Sequence, residues 1–507
     1  MGEIKQLAGQ TIWYGLPTVV GRFLGYLLNM ALPFFVAMPA ETADLVQVYT
    51  LIPFLNILFS YGLETAFFRF AQSHDTRELY GTLTISLLIS TVLFSLCLYL
   101  LSPVLVSWVD LQKHPTYLSW MIGILALDNL STLAFARLRL ENRPKKYAFV
   151  RLAGIVLQVF FVFFFLVILP NNTGGDLYTF IAQWLNPNMG VGFYLVANLL
   201  GSLFVFLLLT GDIFSIRFQF NAALWKKVLR YCYPMIIVGM GGMVNDVLSR
   251  LIYRHAVDLP QAQADHELGI FANIFRLALL VTIMIQAFRM AAEPFFFKQS
   301  QDNNAPKTYA KVMKFFIIAC CFMFLLIGLF LDVFVWIFEN LTPNKQWAEG
   351  IEVVPLLTLG NIFLGIYYNL SIWYKLTDKT HLGAWITILG AIVTILLNLL
   401  LIPIWHYWGA AFATFSCYFV MMVMSYKLGQ KHYPVPYAVK KLTAYLILTL
   451  MLFLLHFGFN RLLGSHLWLS VPTALAVLTG FFYFVIRIEQ RDLAAVGFLN
   501  RFYRKKA

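Results

Sequence analysis

YGTLTISLLISTVLFSLCLYLLS, residues 80–102, holds no acid and no base. An α-helix needs about 20 such residues to cross the roughly 30 Å hydrocarbon core of a bilayer. A barrel strand would alternate in and out and stop after about ten. Similar runs recur along all 507 residues, which are 60% hydrophobic and only 12% charged, with 48 Phe. The charged share is about half that of an ordinary globular domain, and mean hydropathy is +0.74. Too little polar surface remains to cover a water-soluble particle, which excludes a soluble enzyme, a disordered chain and a secreted disulfide scaffold. Cys97, Cys232, Cys320, Cys321 and Cys417 all lie in or beside apolar runs and read as small packing residues.

The chain therefore reads as an all-α polytopic membrane protein. Fourteen segments are long enough to span: about 10–36, 45–66, 80–102, 117–138, 148–169, 189–210, 231–252, 268–290, 315–338, 353–374, 382–404, 407–426, 442–459 and 467–486. The first is too long, and too interrupted by Pro17 and Arg22, for a cleaved signal.

The net charge of +13 raises the question of nucleic acid, and its distribution answers it. Assigned to alternate sides of the spans, 29 of the 37 Lys and Arg fall on one side and 5 on the other. Such a bias is the positive-inside rule, and it predicts both termini in the cytoplasm. A nucleic-acid partner would need those bases on one folded face. No glycine loop of the phosphate-cradling type is present and no loop is large enough for an ATPase domain, so ATP hydrolysis is not expected.

Two short patterns recur. Tyr14-Gly-Leu-Pro17 with Gly25 returns as Tyr231-Cys-Tyr-Pro234 with Gly242, at an offset of 217. Glu64-Thr-Ala-Phe67-Phe68-Arg69 returns as Glu293-Pro-Phe-Phe296-Phe297-Lys298. A duplicated six-helix unit follows: a lobe over 1–212, a parallel lobe over 213–430, and a pair of extra helices with a basic tail over 431–507. Parallel halves suit a rocking transporter. Pro17 and Pro234, at matched places, would bend a gate.

This 6 + 6 + 2 arrangement, with Arg22-Phe-Leu-Gly25 in the first span, resembles the multidrug/oligosaccharidyl-lipid/polysaccharide (MOP) exporter superfamily, and within it the polysaccharide (Wzx-like) and MurJ-like flippases. The resemblance implies two lobes in a V, a cationic cavity, and alternating access driven by an ion gradient or the membrane potential. It also implies export of undecaprenyl-pyrophosphate-linked oligosaccharide, a cell-surface polysaccharide or peptidoglycan precursor, across the bacterial inner membrane. Polysaccharide assembly proteins would be its partners, besides the lipid bilayer.

Ionisable groups inside a bilayer are costly and mark sites. Arg22, Arg250, Arg276 and Asp128 are the substrate-binding candidates, because guanidinium groups give a pyrophosphate bidentate, permanently charged donors. Two structural alternatives stand beside this: an Arg22–Asp128 bridge, and an Asp246–Arg250–Arg254 ladder at i,i+4 spacing. Glu64, Arg289 and Glu293 would close an inward gate. Asn245, Asp246, Thr394 and Asn398 are oxygen-bearing and would suit Na+, with H+ the other coupling ion; no tightly held cofactor is expected. Besides the flippase, two functions compete: a cation-coupled multidrug antiporter of the same superfamily, and a membrane-embedded polysaccharide polymerase or glycosyltransferase. The enzyme would need a large outward loop bearing acids or bases, and the loops here are short.

Overall fold

In a computed structural model the described residues are 20–21, 23–71, 73–141, 143–171, 179, 187–215, 220–299, 302, 304–377, 379–464, 466–490 and 492. Among them there is no strand. Eleven described helices are long and apolar enough to cross a membrane, and the chain is a multi-pass membrane protein. The count of fourteen spans remains an expectation. The elements are α1 (Phe23–Phe35), α2 (Ala43–Ser60), α3 (Leu63–Phe70), α4 (Thr76–Leu100), α5 (Ser102–Trp108), α6 (Thr116–Leu140), α7 (Pro144–Phe163), α8 (Phe193–Ile213), α9 (Ala222–Ala256), α10 (Gln261–Gln299), α11 (Ala305–Gly328), α12 (Leu331–Leu341), α13 (Val354–Leu370), α14 (Ile372–Leu376), α15 (Thr380–His432), α16 (Val439–Leu462) and α17 (Leu467–Ile488).

The breaks have local causes. Between α2 and α3, Tyr61 and Gly62 both take positive φ, 33° and 76°, so the chain turns there without leaving its hydrophobic run. Asp75 accepts the Arg77 amide at the start of α4, and Asn221 accepts the Leu224 amide at the start of α9. α15 breaks at His406 (φ 52°, ψ −132°), between the spans expected at 382–404 and 407–426. The chain returns so closely there that a Cβ on Gly409 would lie 2.4 Å from the Leu401 carbonyl oxygen, so glycine is required. Three expected spans, 45–66, 315–338 and 353–374, are each two helices: α2 and α3, α11 and α12, α13 and α14. Pro306 sits in the first turn of α11, where its missing N–H is harmless, and so opens the helix at Ala305.

The chain forms two compact units. The first comprises 1–276, 342–347 and 387–417; the second comprises 277–341, 348–386 and 418–507. In the first, Leu63, Phe67, Tyr80, Leu83, Leu133 and Val228 make a core that joins α3, α4, α6 and α9. α7 and α8 pack through small residues: a Cβ on Gly154 would meet Val205 at 2.3 Å. Close backbone approach of this kind substitutes for the hydrophobic drive that is absent between helices in lipid. Ile89, Val92, Leu93 and Leu96 on α4 stay exposed, as a lipid-facing stripe should.

In the second unit, Phe296, Tyr309, Ile372 and Val435 form a core. The end of α17 is tied down by charge. Glu489, 2% exposed, accepts from Lys314 on α11 and Lys441 on α16 at 2.5 Å each, and from the Tyr445 hydroxyl at 2.8 Å. Burial favours the neutral form of Glu489, but those three donors outweigh it and hold its carboxyl below the usual range. Asp492 is lowered too, first by Lys314 and then by Lys311. A depressed folded pKa contributes stability that is complete above the unfolded value, 4.5 for Glu489, and is lost as pH falls through the folded value. Thermal unfolding scanned by pH should therefore show the wild type losing stability below about pH 4.5. Glu489→Gln should show a smaller loss over that range; an equal loss in both would exclude the tether as the cause.

Candidate functional site

In the first unit, polar side chains from six helices form one candidate layer. α1 supplies Tyr26 and Asn29, α2 Gln47 and Tyr49, α6 Asp128, α8 Tyr194, Asn198 and Ser202, α9 Arg250, and α10 Arg276. Tyr26 donates from its hydroxyl to the backbone oxygen of Arg276 at 2.9 Å. Tyr194 donates to Asn29 Oδ1 at 3.3 Å and packs edge-on against Tyr49, with ring centroids 5.5 Å apart. Asn198 Nδ2 donates to the Tyr49 hydroxyl at 2.7 Å.

At one end of this layer are two cations. The Arg250 guanidinium stacks 4.4 Å over the Phe275 ring, and Gln47 donates to the Arg250 backbone oxygen at 3.2 Å. Arg276 is close enough to Arg250 for their charges to repel, and the hydroxyls of Tyr194 and Tyr26 are its other electrostatic neighbours. No described carboxylate neutralises Arg276, and its Nη1 is buried with no hydrogen-bond partner among the described residues. An uncompensated buried guanidinium costs several kcal/mol, so it marks a place where an anion would be strongly stabilised.

Asp128 is at the other end, beside Tyr49 and Ser202, with Arg151 as its cationic neighbour. It sits at the midpoint of α6 yet is exposed, although residues of α2, α7 and α8 flank it. The Tyr49–Tyr194 pair intervenes between this acid and Arg276.

Other candidate residues are placed as follows. Arg22 and Pro17 lie outside the described residues, as do the side chains of Pro234, Asp246 and Glu293; α9 is helical through Pro234. Glu64, expected at a gate, pairs with Arg139 on α6, and that guanidinium lies 5.0 Å over the Phe68 ring. Arg289 stacks 4.6 Å over Tyr368 in the second unit. Arg254 does not take part in a ladder along α9. It is 3% exposed and bridges Asp44 on α2 at 2.5 Å and Asp265 on α10 at 2.8 Å, with His114 and Lys113 as further partners of those acids. Helix-to-helix partners satisfy it better than its i−4 neighbour, which is another arginine.

Asn245, Thr394 and Asn398 are buried together. Thr394 Oγ1 is 3.4 Å from Asn245 Oδ1, and Asn398 Nδ2 donates to the Thr394 backbone oxygen at 2.7 Å. Asn398 Oδ1 has no hydrogen-bond partner among the described residues. Side-chain oxygens of this kind are the ligand type a hard cation takes. Among the described residues no group of three or more His, Cys, Asp or Glu could hold a metal. The tyrosines and asparagines of the layer were not singled out in the sequence, although a polar residue inside an apolar run is the same signal as a charged one.

No protein-family profile matches the sequence, and no curated protein matches it by sequence. Solved structures do match. A lipid II flippase MurJ in an inward closed conformation aligns over 94% of this chain and 99% of its own, with TM-score 0.69 and 13% identity. The chain shares the fold of this flippase. A MATE multidrug-resistance transporter of the MOP superfamily, in an inward-facing conformation, aligns over 86% of this chain and 98% of its own, with TM-score 0.64 and 13% identity. A MOP transporter from Pyrococcus furiosus, described by a binding pocket of reversed polarity, aligns over 86% and 96%, with TM-score 0.59 and 13% identity. The shared fold thus accounts for nearly the whole length of the chain, and the solved proteins that share it here are transporters and flippases.

Proposed function

We propose that this chain is a transporter that flips an undecaprenyl-pyrophosphate-linked oligosaccharide from the cytoplasmic to the outer leaflet by alternating access. The observation that carries the reading is Arg276, a buried cation beside a second cation and without a described counter-charge. A multidrug site for cationic compounds would be built the other way, with acids where these arginines stand. A pyrophosphate would accept from Arg276 and Arg250, and Arg22, four residues before Tyr26, would add a third guanidinium. Sugars would meet the Tyr49, Tyr194, Asn198 and Asp128 layer. The MurJ likeness supports a lipid-linked substrate.

The lobes in this reading are 1–212 and 213–430, with 431–507 as an added pair, both termini cytoplasmic and the inner membrane as the location. Pro17, Pro234, Glu64, Arg289 and Glu293 serve its gates. Na+ would be held by Asn245, Thr394 and Asn398 oxygens with Asp246 nearby, and its gradient would bias which way the carrier faces.

The test is transbilayer movement. Purified protein is reconstituted in vesicles with a fluorescent undecaprenyl-pyrophosphate saccharide, and the fraction reachable by an impermeant quencher is followed. Protein-dependent exchange is expected. Its absence, together with ion-driven efflux of ethidium from the same vesicles, would favour the antiporter instead.

A further inference from the structure

In the second unit, residues of α10, α13 and α14 line a partly open pocket with about 350 Å³ of space, open solvent included. Its polar lining comes from Arg289, Lys375, Asn369 and Ser371, and no described lining residue is a carboxylate. Asn369 is only 5% exposed, and its Nδ2 donates to nothing among the described residues. Ser371 spends its hydroxyl proton on the Tyr368 backbone oxygen at 2.6 Å. The Arg289 guanidinium is oriented by its stack on the Tyr368 ring. The rest of the lining is apolar, chiefly Phe288, Phe296 and Ile372. Gly365 closes the wall: a Cβ there would meet Ile285 and Phe316 at 2.8–2.9 Å, so α13 packs against α10 and α11 with no slack.

We propose that this cavity is a second anion site, one that takes a phosphate-type oxyanion through Arg289, Lys375 and the unpartnered Asn369 amide. An ammonium, a guanidinium fork and a buried neutral donor converge there, and each matches an oxygen of a tetrahedral phosphate. The site is separate from the Arg250–Arg276 pair, which belongs to the first unit, and it stands whatever the chain transports. Two sources share the chemistry: the headgroup of an anionic lipid, whose chains the apolar lining would meet, and a soluble phosphate.

The full-length protein is placed in nanodiscs of phosphatidylcholine alone or of phosphatidylcholine with phosphatidylglycerol, both as wild type and with Arg276→Gln, which removes the first unit's cation. Inorganic pyrophosphate is titrated into the first kind by calorimetry, and retained phosphatidylglycerol is counted in the second by native mass spectrometry. If the source is soluble, pyrophosphate binding persists in Arg276→Gln and weakens about tenfold in Arg289→Gln and in Lys375→Gln, the size of one charge-assisted contact. If the source is lipid, one tightly held phosphatidylglycerol is lost in those two variants. Asn369→Leu should weaken the same signal, and Arg289→Lys should restore part of it. Should Arg289→Gln fail to fold, Lys375→Gln, which is only half-buried, makes the same comparison. Wild-type protein that binds neither probe, or Lys375→Gln that binds both as wild type does, would overturn the site.

Discussion

Arg276→Ala should abolish lipid-linked saccharide exchange while leaving the amount of folded protein unchanged. Removing one partner of a buried charged contact costs about 2–5 kcal/mol, so a loss on the order of 10²-fold in exchange rate is expected. Stability should survive because Arg276 Nη1 has no partner to lose among the described residues, and Tyr26 bonds the backbone oxygen, which alanine keeps. Arg276→Lys should retain part of the activity, since it keeps the charge and loses only the fork. Exchange and membrane abundance, measured together for both variants, decide the matter. Normal exchange in Arg276→Ala would remove the residue from the substrate's path, and a collapse in abundance would make it structural.

The opposite behaviour is expected at Arg254, which lies just beyond the span expected at 231–252. Arg254→Ala should lower stability by about 3–5 kcal/mol, because it leaves Asp44 and Asp265 buried with only Lys113 and His114 to answer them. Abundance and unfolding temperature should fall, and any loss of transport should follow abundance. Arg254→Met/Asp44→Asn/Asp265→Asn should recover most of the folded protein, since no carboxylate is then stranded. An Arg254→Ala protein that unfolds at the wild-type temperature would show that the cluster contributes nothing net.

That contrast marks where the sequence was legible. The membrane class and the helical character follow from composition and run length, which need no knowledge of neighbours. The break near 404–407 was readable from the gap between two apolar runs, and it falls at His406. Arg276, inside the span expected at 268–290, stands out by depth alone. What depth cannot give is the partner. Arg254 meets Asp44, 210 positions away, while Arg276 meets no described acid, and nothing in the neighbouring sequence announces either outcome. Glu64 was assigned to a gate from its repeat position, and here it is engaged with Arg139. The second anion cavity was illegible for the same reason: Arg289, Asn369 and Lys375 come from three helices, and only folding makes them neighbours. Hydroxyls and amides such as Tyr49 and Asn198 were overlooked because they bear no charge.

Arg276 also constrains how the protein is made. A guanidinium at the centre of a helix opposes entry into the bilayer from the translocon by about 2.5–3.5 kcal/mol, and many such residues must wait for a complementary helix. The residues after it, LALLVTIMI over 277–285, include Leu277, Leu279, Leu280, Val281, Ile283 and Ile285. Each favours insertion by about 0.3–0.6 kcal/mol, so together they offset the arginine within a single segment. α10 can therefore enter the membrane on its own, with its charge unanswered, during synthesis. Its guanidinium is carried in by its own helix before any substrate is met.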